Sequence, residues 1–206
     1  QKCASVDRAR SWLFMRLNGR LMPPVVHPRQ LGCPDIVPGL TQRGWWEREQ
    51  IPWIAKLEAS ASVIREELIA LREHKGFQPY RSPAYATKNL AADKIGSMGN
   101  DTGNWNVYYL YLHDIQFEEN LERVPNTVKI LQEVIPRNYF HCFFSALTPG
   151  THINAHNGPT NKKLRVHLPL IGTEGARMRV GDDVKTLEQD KCIIFDDSFN
   201  HEAWYD

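Results

Sequence analysis

Between residues 51 and 75, apolar side chains return at three- and four-residue steps. Ile54, Leu57, Ala61, Ile64, Leu68 and Leu71 form one stripe, and Lys56, Glu58, Arg65, Glu66 and Glu67 fill the opposite side. That period predicts an amphipathic helix turned towards a core. A second helix is predicted over residues 120–134 through Leu121, Val124, Val128 and Leu131. The run WNVYYLYL at 105–112 is β-branched and aromatic, which favours a strand. After Arg137 the chain breaks into short apolar runs (YFHCFFSAL, KKLRVHLPLIG, ARMRVG, KCIIF) separated by turn residues. Their spacing suits a small β-barrel or sandwich, so the fold class is α+β, with helices bracing a β-rich core.

Residues 1–40 follow a different pattern. Residues 1–20 read as the end of a preceding helical unit. PPVVHPRQLGCPDIVPG then carries prolines that oppose regular structure and predict an extended arm over a domain at 41–206. The chain opens QKCASVDRAR, without an initiator Met or a signal-peptide pattern, and is expected to be a processed or excised piece. Length fits one domain. With Lys+Arg 25 against Asp+Glu 24, the net charge of +1 gives no electrostatic case for a nucleic-acid partner. No apolar run approaches the ~20 residues of a membrane span. Cys3, Cys33, Cys142 and Cys192 are scattered without CxxC spacing, which argues against a zinc knuckle and leaves room for one or two disulfides.

Candidate chemistry lies in the C-terminal half. His152 and His156 follow the strand that carries Ser145, His167 sits in the next strand, and His201 follows Ile193-Ile194-Phe195 through a DDSFN turn. Imidazole ligates iron, zinc or copper, but any one of these histidines also reads as a satisfied or exposed side chain. In KKLRVHLPL, Lys163, Arg165 and His167 alternate with Leu164, Val166 and Leu168. One strand face is then basic and suited to carboxylates, or simply solvated. Asp196 reads as a turn cap, whereas Asp197 is either a turn residue or an acceptor that orients a ligating histidine. Trp45-Trp46 and Tyr108-Tyr109 read as packing residues. Cys142 lies in an apolar strand with nothing near it in sequence to make it a nucleophile.

TPGTH (148–152), HNGPTN (156–161), LRVHLPL (164–170) and FDDSFNHEAW (195–204) together resemble the catalytic domain of the aspartyl/asparaginyl β-hydroxylase family. The resemblance extends upstream through PGL (38–40) and Trp45-Trp46. It implies a double-stranded β-helix holding Fe(II), with 2-oxoglutarate and dioxygen as co-substrates. In such enzymes two histidines hold the iron and glycine stands where the usual carboxylate ligand would be. Carried over, the ligands are His156 and His201, with Gly158 at the vacant position. Ser145, Arg165 and His167 match positions around the co-substrate, and Lys163 and Arg165 positions around the substrate. Lys163 replaces an arginine of the animal enzyme, keeping the charge but losing the two-pronged grip on a carboxylate. The resemblance also implies an arginine for the remote carboxylate of 2-oxoglutarate, and a last strand, past Asp206; a truncated chain is the expected explanation. The implied reaction is β-hydroxylation of Asp or Asn in a peptide or protein, such as an EGF-like domain. Alternatives are hydroxylation of a lipid acyl chain or of a small amino-acid-derived molecule, halogenation at a metal opened by the glycine, and a non-catalytic binding barrel. The compartment follows the relative chosen: a secretory-pathway lumen for the animal enzyme, the cytoplasm for bacterial ones.

Overall fold

The computed structural model describes residues 2–20, 23, 25–71, 76–82, 97–135 and 141–206. Helix α1 spans Lys2–Leu17 and is followed by a 3-10 turn at Pro28–Gln30. Strand β1 (Trp45–Trp46) precedes helices α2 (Ile54–Ala59) and α3 (Ala61–Ala70). Short strands β2 (Gln78–Pro79), β3 (Arg81–Ser82), β4 (Ser97–Met98) and β5 (Asn100–Thr102) lead to β6 (Trp105–Leu112) and β7 (Ile115–Gln116). Helices α4 (Glu118–Glu122) and α5 (Pro125–Val134) follow. The remaining strands are β8 (His141–Leu147), β9 (Thr151–His156), β10 (Arg165–His167), β11 (Ala176–Val180), β12 (Asp183–Thr186), β13 (Ile193–Phe195) and β14 (His201–Tyr205).

The architecture is mixed, with an antiparallel, β-rich core. One sheet has the order β1-β13-β10, a second β12-β11-β14-β9-β5, and a third joins β2, β6 and β7 with β8 paired to β6. Strand β6 is buried on both faces. Trp105 and Val107 pack with Ile153, Tyr109 and Phe143, while Tyr108 and Leu110 pack with the helices. A register shift against β8 between Tyr109 and Tyr111 then turns Tyr111 to the helical side as well, because an extra residue reverses the two-residue alternation.

The predicted helices are present, but each is interrupted. Ile54, Leu57, Ala61 and Ile64 are buried as the stripe requires, yet the helix breaks at Ser60, whose hydroxyl donates to Lys56 O at 3.0 Å. Residues 72–75, the expected end of that helix, lie outside the described residues. The second helix divides at Val124, which takes a non-helical φ of −134° directly before Pro125. Proline disfavours the α conformation in its predecessor and then starts the next helix with its fixed φ. Glu67 of α3 caps that new start, accepting from Asn126 N at 2.9 Å and Thr127 N at 2.7 Å. Tyr139 and Phe140 of the predicted YFHCFFSAL strand are also outside the described residues.

Over residues 1–40 the structure has a helix, α1, and then an irregular strap. Cys33, Cys142 and Cys192 are free thiols, so none of these three forms the disulfide left open above. Among the described residues, no helix is long and apolar enough to cross a membrane. Ile194 is almost wholly buried and belongs to the middle strand β13, paired on both sides. Ile194→Ala should therefore cost about 2–5 kcal/mol of stability. Val184→Ala, on an exposed edge-strand position, should change it by less than about 0.5 kcal/mol. Urea unfolding of both variants checks the contrast.

Candidate active site

His156 ends β9 and His201 begins β14, and the two residues are directly paired across these strands. Their rings lie 4.2 Å apart between centroids, inclined at 53°. Both Nδ1 atoms are tied to main-chain carbonyls two residues upstream: His156 to Asn154 O at 2.7 Å and His201 to Phe199 O at 2.8 Å. A carbonyl only accepts, so each Nδ1 carries the proton and each Nε2 keeps a lone pair. The β9–β14 register shifts between His201 and Ala203, an irregularity directly beside the site. Burial lowers the pKa of both imidazoles, and for His201 the neighbouring His156 lowers it further. Both are neutral at neutral pH, the form in which imidazole ligates metals.

Beside this pair, Gly158 packs against Asp197. The Gly158 N–H donates to Asp197 O at 2.5 Å, and a Cβ on residue 158 would stand 2.4 Å from the Asp197 carboxyl carbon. A side chain there would collide with the carboxylate. Asp197 Oδ2 accepts from Lys163 Nζ at 2.5 Å and from Arg165 Nε at 2.8 Å, while Oδ1 is buried and has no hydrogen-bond partner among the described residues. Burial raises the Asp197 pKa, but the two cations outweigh it and hold the carboxyl at about 2. Asp197 is thus a turn residue, one of the two readings the sequence left open, and its carboxylate holds the two cations rather than orienting a histidine. Asp196 does cap the turn, accepting from Ser198 N at 2.9 Å.

Lys163, Arg165 and His167 share a face, as the alternation predicts. Arg165 and His167 line the same cavity as His156, Gly158, Asp197 and His201. His167 is exposed to this cavity and meets Phe195 edge-on at 5.0 Å. The surrounding protein and Arg165 lower its pKa, so it too is neutral. Leu164, Val166 and Leu168 pack on the other side against the main core. Ser145 is one step removed: it accepts from Trp105 Nε1 at 2.9 Å, and the Trp105 ring lines the cavity. His152 points elsewhere, held between Asp101 at 3.0 Å and Glu202 at 3.1 Å and stacked on Trp204.

Several residues of the site were not legible in the sequence. Tyr80 stacks on Trp105 at 3.8 Å and, with Phe143, gives the cavity an aromatic wall. The strap after α1 clamps both motif loops. Gln30 Nε2 donates to Ser198 Oγ at 2.7 Å, and Arg29 O accepts from Asn157 Nδ2 at 2.9 Å. Asn161 pairs with both main-chain groups of Val37 at 2.8 and 3.0 Å. Asp35 anchors the strap to α1 through Trp12 Nε1 at 2.9 Å and Arg16, and to the motif loop through Lys162 at 2.7 Å. Only the polar residues scattered among the prolines hinted at this. A second depression, along Pro23, Val25, Pro38, Gly39, Leu40 and Gln42, has no titratable lining residue among the described residues.

Comparison with known proteins identifies the family. Residues 58–206 match the aspartyl/asparaginyl beta-hydroxylase family. The chain is 32% identical to the aspartyl/asparaginyl beta-hydroxylase of Homo sapiens over 177 residues, covering 82% of this chain and 22% of that protein. It is 31% identical to the ornithine lipid ester-linked acyl 2-hydroxylase of Rhizobium tropici over 164 residues, covering 77% of this chain and 54% of that protein. The chain therefore spans about a fifth of the first relative and about half of the second. The family match spans the stretch that holds the site, and the chain belongs to the aspartyl/asparaginyl β-hydroxylase family of hydroxylases.

Proposed function

We propose that this chain carries an Fe(II)- and 2-oxoglutarate-dependent dioxygenase centre that hydroxylates the β-carbon of Asp or Asn residues in a peptide or protein. The observation that carries the reading is the histidine pair: two neutral imidazoles 4.2 Å apart, each with Nδ1 occupied and Nε2 available. Among the described residues, no group of three or more His, Cys, Asp or Glu side chains could hold a metal. A two-histidine site fits that donor set, and the rest of the metal's ligands would come from the co-substrate and water. With 2-oxoglutarate chelated, the iron would supply the oxidising power to convert C–H into C–OH, consuming dioxygen and releasing succinate and carbon dioxide.

The protein's own groups account for the remaining requirements. His156 and His201 would hold the metal, their rings fixed by their main-chain acceptors. Gly158 leaves room for the Asp197 carboxylate, whose unpaired Oδ1 is an acceptor close to where an ordinary carboxylate ligand would begin. Lys163 and Arg165 share this one anion, so the face keeps a net positive charge for a carboxylate of the substrate or co-substrate. Tyr80, Trp105 and Phe143 give the cavity an apolar side. The sheets β1-β13-β10 and β12-β11-β14-β9-β5 both line the cavity, which accords with two halves of a double-stranded β-helix. A lipid acyl chain is the second reading, favoured by the larger share of the Rhizobium tropici hydroxylase that is matched.

Incubation with Fe(II), 2-oxoglutarate, dioxygen and either Asp/Asn-containing peptides or hydroxylatable acyl lipids should yield succinate and a product heavier by one oxygen. Mass spectrometry identifies the substrate class, and absence of succinate with every substrate would refute the reading. His156→Ala and His201→Ala should each abolish turnover with little change in melting temperature. Gly158→Ala should force the Asp197 carboxylate away from its cations, costing about 1–3 kcal/mol of stability and most of the activity, as read by thermal unfolding and succinate release.

The metal-free protein should also be acid-sensitive. His156, His167 and His201 have folded pKa values below 6.5, so the unfolded chain binds more protons as pH falls through 6.5. Stability is then fully present above that pH and declines below it. Asp197 adds a later loss, since its contribution persists above 3.8 and disappears as pH falls towards about 2. Urea midpoints at about pH 7.5 and 5.5 should differ, with the acid midpoint lower.

A further inference from the structure

We propose that His141 is a positioning residue for Arg165: its imidazole Nδ1 accepts from Arg165 Nη1 and so sets the face that the guanidinium presents to a carboxylate in the cavity. The inference rests on the reading above, in which Arg165 grips a carboxylate of substrate or co-substrate.

A guanidinium offers five N–H donors in one plane. Arg165 spends Nε on Asp197 at 2.8 Å and an Nη1 hydrogen on His141. Two anchors on different nitrogens fix the plane, and among the described residues Nη2 makes no hydrogen bond. The anchors come from separate places in the fold. Asp197 lies in the turn between β13 and β14, whereas His141 begins β8, in the sheet that contains β6. The His141 contact therefore ties the basic strand β10 to a sheet with which it shares no main-chain pairing.

The imidazole is itself held in place. It packs against Phe143 at 4.8 Å, stacks on Tyr109 at 6.3 Å, and lies nearly parallel to His113 at 6.2 Å. Arg165 can only donate, so Nδ1 must carry the lone pair. Burial, with Arg165, Lys163 and His113 nearby, lowers the His141 pKa to about 3, against a small opposing effect of Asp197. An unprotonated acceptor suits the task physically. A second carboxylate at 141 would also orient the guanidinium, but it would neutralise the excess positive charge of Lys163 and Arg165. An imidazole orients without cancelling charge.

The test uses the whole chain and two readouts. The first is kinetic, with the substrate class identified as above: His141→Phe should raise KM for the carboxylate-bearing ligand about tenfold while kcat falls less than threefold. His141→Gln, whose amide oxygen can accept from Arg165, should restore most of the loss. Unchanged KM in His141→Phe, or equal loss in both variants with a falling melting temperature, overturns the proposal. Arg165→Ala runs in parallel: if it leaves KM unaltered, it is the carboxylate-gripping reading that fails. The second readout needs no turnover. Imidazole ¹⁵N shifts of the metal-free protein should place the His141 proton on Nε2 near pH 6, with an Nδ1 shift that moves in Arg165→Ala. A protonated His141, or an Nδ1 shift indifferent to Arg165, likewise overturns it.

Discussion

The site depends on one buried ionic cluster, Asp197 with Lys163 and Arg165. The Asp197 side chain is only 3% exposed, and its partners are 21% and 23% exposed, so none of the three is fully solvated. A buried carboxylate is tolerated only when paired, and removing one partner of such a cluster typically costs about 3–5 kcal/mol. The cluster also dictates the backbone beneath it. Residue 158 has to be glycine because the carboxylate occupies the space of its Cβ. A glycine that looked like a missing ligand is thus also a packing requirement.

The same turn serves structure and chemistry together. It follows β13, the middle strand of one sheet, places Asp197 over Gly158, and delivers His201 opposite His156 in the other sheet. Asp196 caps the turn, and Ser198 is clamped from outside by Gln30 of the strap. The geometry of the histidine pair is therefore over-determined by short polar contacts. The apolar work is done elsewhere, where α2, α3 and α5 cover the back of β6 and β13 through Tyr108, Leu110 and Ile194.

Much of the fold was legible as periodicity. The helix stripe from Ile54 to Leu71 and the strand WNVYYLYL appear where the pattern puts them, because those signals are local. What was missed is of two kinds. Interruptions such as Val124 before Pro125 depend on a single residue that a sliding hydrophobic pattern averages away. Long-range pairings such as Arg165 with His141, Tyr80 on Trp105, and Asp35 with Trp12 and Lys162 have no local signature at all. The basic face of Lys163, Arg165 and His167 was predictable from two-residue alternation, but its counterion was not. Asp196 reads as the turn cap from DDSFN alone, but nothing there marks Asp197 as the anchor of the cations.

The most direct measurement of the two-histidine account is an anaerobic titration of the chain with Fe(II) and 2-oxoglutarate, followed by the visible charge-transfer absorption of the iron–keto-acid chelate. The account predicts a band that saturates at one iron per chain and is absent from both His156→Ala and His201→Ala. A band that survives either substitution, or no band in a folded wild-type chain, would contradict it.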